Sequence, residues 1–442
     1  MQFKTYVSTY LTLGFLALSS HGYSHAKTHK PHHVSLHALS PIAPDGSALF
    51  SYVNHSGYPD SQIFIQVVGV NPKTGAQCFV QYDAQGHPTA VDVHQKMDSS
   101  PYALALSSLP TASSGGRSFY LPPLYGSRLY TSISNQLTFL VSKNNLGVWT
   151  ISAPDPLNPQ DPNRNILWDK TEFTIDTGAV FINPTAVDDF SLPIRCQETG
   201  IDGSIQAGGL SENRTVIFNA LQTTFSKRGA PWTNLISTTP SLVYSPMLAA
   251  TTGGFPQDFF MTSGWIDAFK QLYSIHPLKI DMAESFPVAE GGGIWDGLID
   301  TTTCVITFTR EVDASHPSVN PVLLTLPTNT SELIAGSGPT WNITTALQGA
   351  LARNLSSAID TNTLTLTAAL GKKYFDSVKA SYYQMNPAMP SQLQFIDSYS
   401  QVLHSFGNIY TLPYDDELDQ SGAASYTPST FATGSIELGS IH

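Results

Sequence analysis

From Ala48 to Tyr82 the chain runs through LFSYVNHSG, QIFIQVVGV and QCFVQYD, short segments dense in aromatic and β-branched side chains and separated by Gly, Pro, Asn and Asp. Runs this short, broken this often, cannot be helices; each must find a strand partner. Similar segments, SRLYTSIS (127–134) and QLTFLVS (136–142), follow the loop SSLPTASSGG (107–116). Residues 48–198 are therefore expected to form one mostly antiparallel β unit. The texture changes near Gly200. Ile217, Ala220, Leu221 and Phe225 recur at helical spacing over 211–226, behind Ser211 as the expected N-cap. Phe259, Ile266, Phe269 and Tyr273 repeat the pattern, as do Ile343, Leu347, Ala350 and Leu351, while TCVITFTREV (303–312) and TLTLTAAL (363–370) read as strands. Residues 199–392 are thus expected to be a mixed α/β domain. The closing FATGSIELGSI (431–441) has the texture of the first region, so about 393–442 is expected to complete the β unit.

Charge narrows the partners. The chain has 21 Lys and Arg against 33 Asp and Glu in 442 residues, a net charge of −12, with no basic run to track a phosphate backbone, so nucleic acid is not an expected ligand. Low total charge with 19 Tyr and 22 Phe suits an uncharged ligand held by stacking and hydrogen bonds. At the start, Lys4 and the apolar YVSTYLTLGFLALSS (6–20) read as a secretory signal, with Ser24 and Ala26 placed for cleavage after Ala26. A secreted protein, extracellular or periplasmic, is expected, with no membrane span after cleavage. The His-rich segment within 27–47 reads as a flexible tail, not a metal site. Cys78, Cys196 and Cys304 allow at most one disulfide and match no compact zinc spacing.

The stretch WDKTEFTIDTGAVFINPTAVDDFSLPI (168–194) concentrates acid in this sparsely charged chain. In an extended strand Glu172, Thr174 and Asp176 share one face and Phe173 and Ile175 the other. A second strand is expected from Val187. Its alternation makes Asp189 the groove-facing residue and puts Asp188 at the head of an apolar face, so parity alone leaves the choice between them open.

The run Glu172-Phe173-Thr174, followed at sixteen residues by Val187-Asp188-Asp189-Phe190-Ser191-Leu192-Pro193, resembles the signature of the thaumatin-like β-1,3-glucanases of glycoside hydrolase family 64, the laminaripentaose-producing type. FSYVNHSGYPDSQIFIQVVG (50–69), GSRLYTSI (126–133), Asp161-Pro162-Asn163 and YTLPYDDELDQSG (410–422) agree with it in the same order. The resemblance implies a thaumatin-like β-barrel or sandwich domain, an inserted α/β domain and a substrate groove between them. It implies Glu172 as general acid and Asp188 as general base. Asp161, Thr174, Asp176, Phe181 and Thr185 match positions that line the sugar sites. Two of these depart from the family pattern: Asp176 stands where relatives have Asn, and Phe181 where they have Trp. Phe181 still offers an aromatic platform, whereas Asp176 brings a second negative charge one strand step from the acid.

Cleaving a glycosidic bond needs one protonated carboxyl for the leaving oxygen and one ionised carboxylate for the attack. That scheme requires no cofactor and no metal. The expected protein is a monomeric β-1,3-glucan hydrolase of endo type; the alternative is a non-catalytic glucan-binding or wall-associated protein on the same scaffold. GGGIWDGLID (291–300) lacks the Lys-Ser/Thr of a phosphate loop and reads as a tight loop beside the groove. Asp415 and Asp416 are expected at the groove edge.

Overall fold

The computed structural model describes residues 40–442 apart from 114, 239–240, 263–266, 268–269, 271–272, 276, 282–287, 336–396 and 413–421. The signal segment, most of the His-rich tail, the helix expected at 343–351, the strand expected at 363–370, and Asp415 and Asp416 lie outside the described residues.

The first strands are β1 (Ala48–Asn54), β2 (Ile63–Val70), β3 (Gln77–Tyr82), β4 (Pro88–Asp92), β5 (Leu104–Ala105), β6 (Arg117–Leu121) and β7 (Tyr125–Ile133). A hairpin of β8 (Leu140–Lys143) and β9 (Trp149–Ser152) precedes β10 (Leu167–Ile175), β11 (Val180–Pro184), β12 (Asp189–Phe190), β13 (Ile194–Gly200) and β14 (Ile205–Gly209). Further on come β15 (Ile236–Thr238), β16 (Ser241–Tyr244), β17 (Leu278–Asp281), β18 (Ile294–Asp300), β19 (Val305–Arg310), β20 (Val322–Thr325), β21 (Ala424–Tyr426) and β22 (Phe431–Leu438). The fold is mainly β.

Two sheets face each other. One has the order β14-β13-β22-β1-β6, and the other β21-β11-β10-β7-β2-β3-β4 with β5 on β2. Alternate residues of both, among them Phe50, Ile65, Phe119, Phe173, Ile182 and Ile436, bury into one shared core. The late strand β22 lies between β1, parallel to it, and β13, antiparallel. Its Gly434 stands opposite Phe50, whose ring occupies the space a Cβ would need, so only glycine fits there.

A second core gathers helix Arg214–Arg228, helix Ser398–His404, β16 and the sheet β17-β18-β19-β20. Helix Arg214–Arg228 buries Ile217, Leu221 and Phe225, one stripe at four-residue spacing. Its N-cap is Asn213, not Ser211: the Asn213 carboxamide accepts the Thr215 N–H at 2.7 Å and reaches Ser440 Oγ, which ties the helix start to the far end of the chain.

Two further expectations need correction, and the cysteine question left open is answered. In QLTFLVS, residues 136–139 belong to no strand ladder, although Leu137 and Phe139 are buried. Side chains replace the neighbouring strand: Gln66 bonds both backbone groups of Leu137, Asn163 both of Thr138, and Ser99 Oγ accepts the Phe139 N–H. In GGGIWDGLID only 291–293 turn, and Ile294–Asp300 is strand β18. The three cysteines are free thiols.

Candidate active site

Strand β10 lies between β7 and β11, and it is buried on both faces. Phe173 and Ile175 enter the sandwich core. Trp168, Lys170, Glu172 and Thr174 take the outer face by alternation. That outer row is charged yet covered: Lys170 is 5% and Glu172 7% exposed. Charges so placed must be paired, because an uncompensated buried charge costs several kcal/mol.

Register shows how the pairing is done. Glu172 sits opposite Arg128 on β7 and Asn183 on β11, and Arg128 Nε donates to Glu172 Oε1 at 3.0 Å. Thr174 faces Phe181, so the predicted residues Glu172, Thr174 and Phe181 share one face with Arg128. Lys170 faces Tyr130, whose ring leans on Trp168 and Phe139. The Lys170 ammonium donates to Asp188 Oδ2 at 2.7 Å and lies 3.9 Å from Asp189 Oδ1. Glu172 and Asp188 are thus each gripped by a cation of the same sheet face.

The segment that carries Asp188 is held from every side. Thr185 bridges Tyr410, the Ala186 N–H donates to the Tyr410 carbonyl at 2.7 Å, and the Tyr399 hydroxyl donates to the Ala186 carbonyl at 2.7 Å. The Asp188 carbonyl accepts the Ser245 N–H at 2.8 Å, and Asp189 pairs with Tyr244 across β12 and β16. Behind them Asp169 Oδ2 accepts the N–H groups of Ser191 and Leu192, both at 2.9 Å. Asp169 and Lys170 point to opposite faces of β10, so adjacent residues clamp one loop from two sides.

The strand expected from Val187 is only Asp189–Phe190, and parity counted from Val187 therefore misleads. Phe190 enters the second core while the Asp189 carboxyl is sealed, its side chain 2% exposed against 28% for Asp188. Electrostatics separates the two further. Burial alone would raise the Asp188 pKa, but the Lys170 charge and hydrogen bond, with Arg128 beyond, hold it below the usual carboxylate range. Burial pushes Asp189 up, and repulsion from Asp169 and Asp188 adds to burial against the pull of Lys170. Burial would also lower the Lys170 ammonium, yet Asp188 and Asp189 keep it firmly protonated.

The other predicted residues are not all gathered here. Asp176 stands past the end of β10, where its Oδ1 accepts the N–H groups of Gly178 and Ala179 and caps the hairpin. Thr185 is buried next to β11, its hydroxyl without a hydrogen-bond partner among the described residues. Asp161 is apart, in the loop before β10: its carboxylate holds the N–H groups of Asp155 and Asn163, and it lines a small cavity with Trp168 and Leu242. Among the described residues no group of His, Cys, Asp and Glu is arranged to hold a metal ion. Sequence reading missed Lys170 and the pairing role of Arg128. Lys170 was detectable: it shares Glu172's parity, and a lone Lys on a strand buried on both faces needs a carboxylate.

The paired carboxyls on the outer face of β10 are the candidate site, and the comparisons with known proteins identify the family of the scaffold that carries them. Residues 48–434 match the family model of the β-1,3-glucanases, glycoside hydrolase family 64, and the chain belongs to that family. The glucan endo-1,3-β-glucosidase of Cellulosimicrobium cellulans is 32% identical over 122 residues, 27% of this chain and 20% of that protein. One from an Arthrobacter species is also 32% identical, over 120 residues, so the match spans about a fifth of the length of these curated relatives. Two solved structures share the fold. A β-1,3-glucanase domain from Clostridium beijerinckii superposes with a TM-score of 0.67 at 18% identity, over 91% of this chain and 100% of that one. A laminaripentaose-producing β-1,3-glucanase in complex with laminaritetraose gives 0.64 at 21% identity, over 89% and 99%.

Proposed function

We propose that this protein is a secreted, monomeric endo-β-1,3-glucanase that cleaves laminarin-like or curdlan-like glucan to short oligosaccharides with inversion. The observation that carries the reading is the cation-held pair on one sheet face, Glu172 on Arg128 and Asp188 on Lys170, at the spacing of the family signature. Glu172 protonates the glycosidic oxygen as the bond to the anomeric carbon breaks. Asp188 takes a proton from a water that attacks that carbon from the opposite side. Thr174, Phe181 and Thr185 flank the sugar, with Asp161 and Asp176 toward the ends of the groove. In this reading residues 48–198 and about 393–442 form the thaumatin-like domain, 199–392 is inserted into it, and the glucan lies between. A signal over 1–26 directs export. Neither a cofactor nor a metal enters the scheme.

Proton NMR of the anomeric signals in the first minutes of laminarin hydrolysis tests the mechanism. Initial α-anomer supports inversion; initial β-anomer means that a carboxylate attacks as nucleophile and that the base role of Asp188 is wrong. Retention of the chain on curdlan without release of reducing ends would establish a glucan-binding protein instead.

A further inference from the structure

We propose that Lys170 is a positioning residue for the general base: its ammonium, sealed on the outer face of β10, fixes the Asp188 carboxylate at a set distance from Glu172. This rests on the reading of Asp188 as base and goes beyond it, because nothing in the family signature assigns a role to the residue two before the acid.

The argument begins with spacing. Lys170 and Glu172 are two residues apart on one strand, so their Cα atoms are about 6.8 Å apart along it and their side chains rise from the same face. The acid is part of that strand and the base is tethered to it through 2.7 Å. Acid and base are therefore both tied to one rigid strand. Lys170 itself has no room to wander. Its side chain is 6% exposed and rests opposite Tyr130. The charged and titratable groups around it are Asp188, Asp189, Tyr130 and Arg128, with Asp169 next to it on the strand. Of the two carboxyls it reaches, the nearer one is the one with solvent access. The ammonium so distinguishes two adjacent aspartates: it hydrogen-bonds and orients Asp188, while Asp189 lies farther off at 3.9 Å.

The test is the pH dependence of kcat/KM on laminarin for the full chain and for Lys170→Met. Asp188 must be ionised to act, and Lys170 holds its pKa down, so removing the ammonium should move the acidic limb of the profile to higher pH by about one unit. In the variant kcat should fall roughly 10–100-fold, as for a reacting group misplaced by about an ångström, with KM within about three-fold because Lys170 does not touch the sugar. Lys170→Arg, which keeps the charge, should return the limb toward its original position. A folded Lys170→Met with an unmoved limb and unchanged kcat overturns the proposal, as does a loss expressed only in KM. Should Lys170→Met not fold, Lys170→Gln combined with Asp189→Asn leaves no second buried carboxylate to strand and is read by the same limb shift. Asp188→Asn separates the two levels of failure. If it turns over at the full rate, the base assignment itself is wrong; if it is dead while the Lys170 variants leave the limb unmoved, only the positioning role is wrong.

Discussion

Glu198 and Asp188 are acids on opposite sides of the scaffold, and they end in opposite states. Glu198 lies on β13 with 0% exposure, inside the sandwich, where neither carboxyl oxygen has a hydrogen-bond partner among the described residues. Burial pushes its pKa up to about 9, and the Tyr426 N–H pulls weakly the other way without completing a bond. Asp188 is also subject to burial, but Lys170 and Arg128 reverse the outcome. The difference is the cation. On the inner face of the scaffold an acid survives by holding its proton; on the outer face the strands supply one basic residue to each of Glu172 and Asp188. A carboxylate kept charged beside a buried lysine is what the proposed base requires, while a neutral one among Cys196 and its apolar neighbours is packing.

The comparison can be broken most decisively at the acid. Glu172→Gln keeps the hydrogen bond from Arg128 but has no proton to give, so laminarin turnover should drop by about 10²–10⁴-fold while retention on curdlan persists. Turnover near the wild-type rate would remove Glu172 from the chemistry. Asp188→Asn should lose activity on a similar scale. Asp189→Asn, which resembles the protonated form that burial favours, should keep most of its rate. The reverse pattern would mean that the wrong aspartate has been placed in the groove.

Smaller effects sharpen the structural half. Asp169→Ala leaves the N–H groups of Ser191 and Leu192 without their acceptor and should cost about 1–3 kcal/mol in denaturant unfolding. An unchanged midpoint would show that the loop bearing Asp188 is held well enough by Tyr399 and Ser245 alone. Glu198 is best read through pH. Its folded pKa is raised, so between about pH 4.5 and 9 the folded chain keeps a proton that the unfolded chain has lost. Stability therefore falls as pH rises through that window, by at most about 1.4 kcal/mol per unit. Glu198→Gln should flatten that slope, and identical slopes for the two proteins would place the Glu198 carboxylate in contact with water or a cation.

Much of this was legible in the residues. Segments with period-two texture and turn punctuation became β1, β2, β3 and β7, because their apolar side chains had one sheet face to fill. The stripe Ile217, Leu221, Phe225 became a helix for the same reason at a different period. QLTFLVS failed because nothing local reveals that Gln66 and Asn163, distant in sequence, would replace a strand. The choice between Asp188 and Asp189 could not be read from parity, since the strand that would fix it is two residues long. Motif spacing favoured Asp188, and the fold shows that it is the aspartate Lys170 grips more closely.

The place of β22 bears on how such a chain is made. Among the described strands it is the last to leave the ribosome, yet it fills the slot between β1 and β13 and joins Phe50 to Gly434. Until then β1 has one open edge, and its sheet is in two pieces that cannot close over their shared core. Contacts so remote in sequence form slowly and late. A nascent chain of this design therefore stays incomplete, and accessible to whatever factors handle unfinished polypeptides, until β22 has been made.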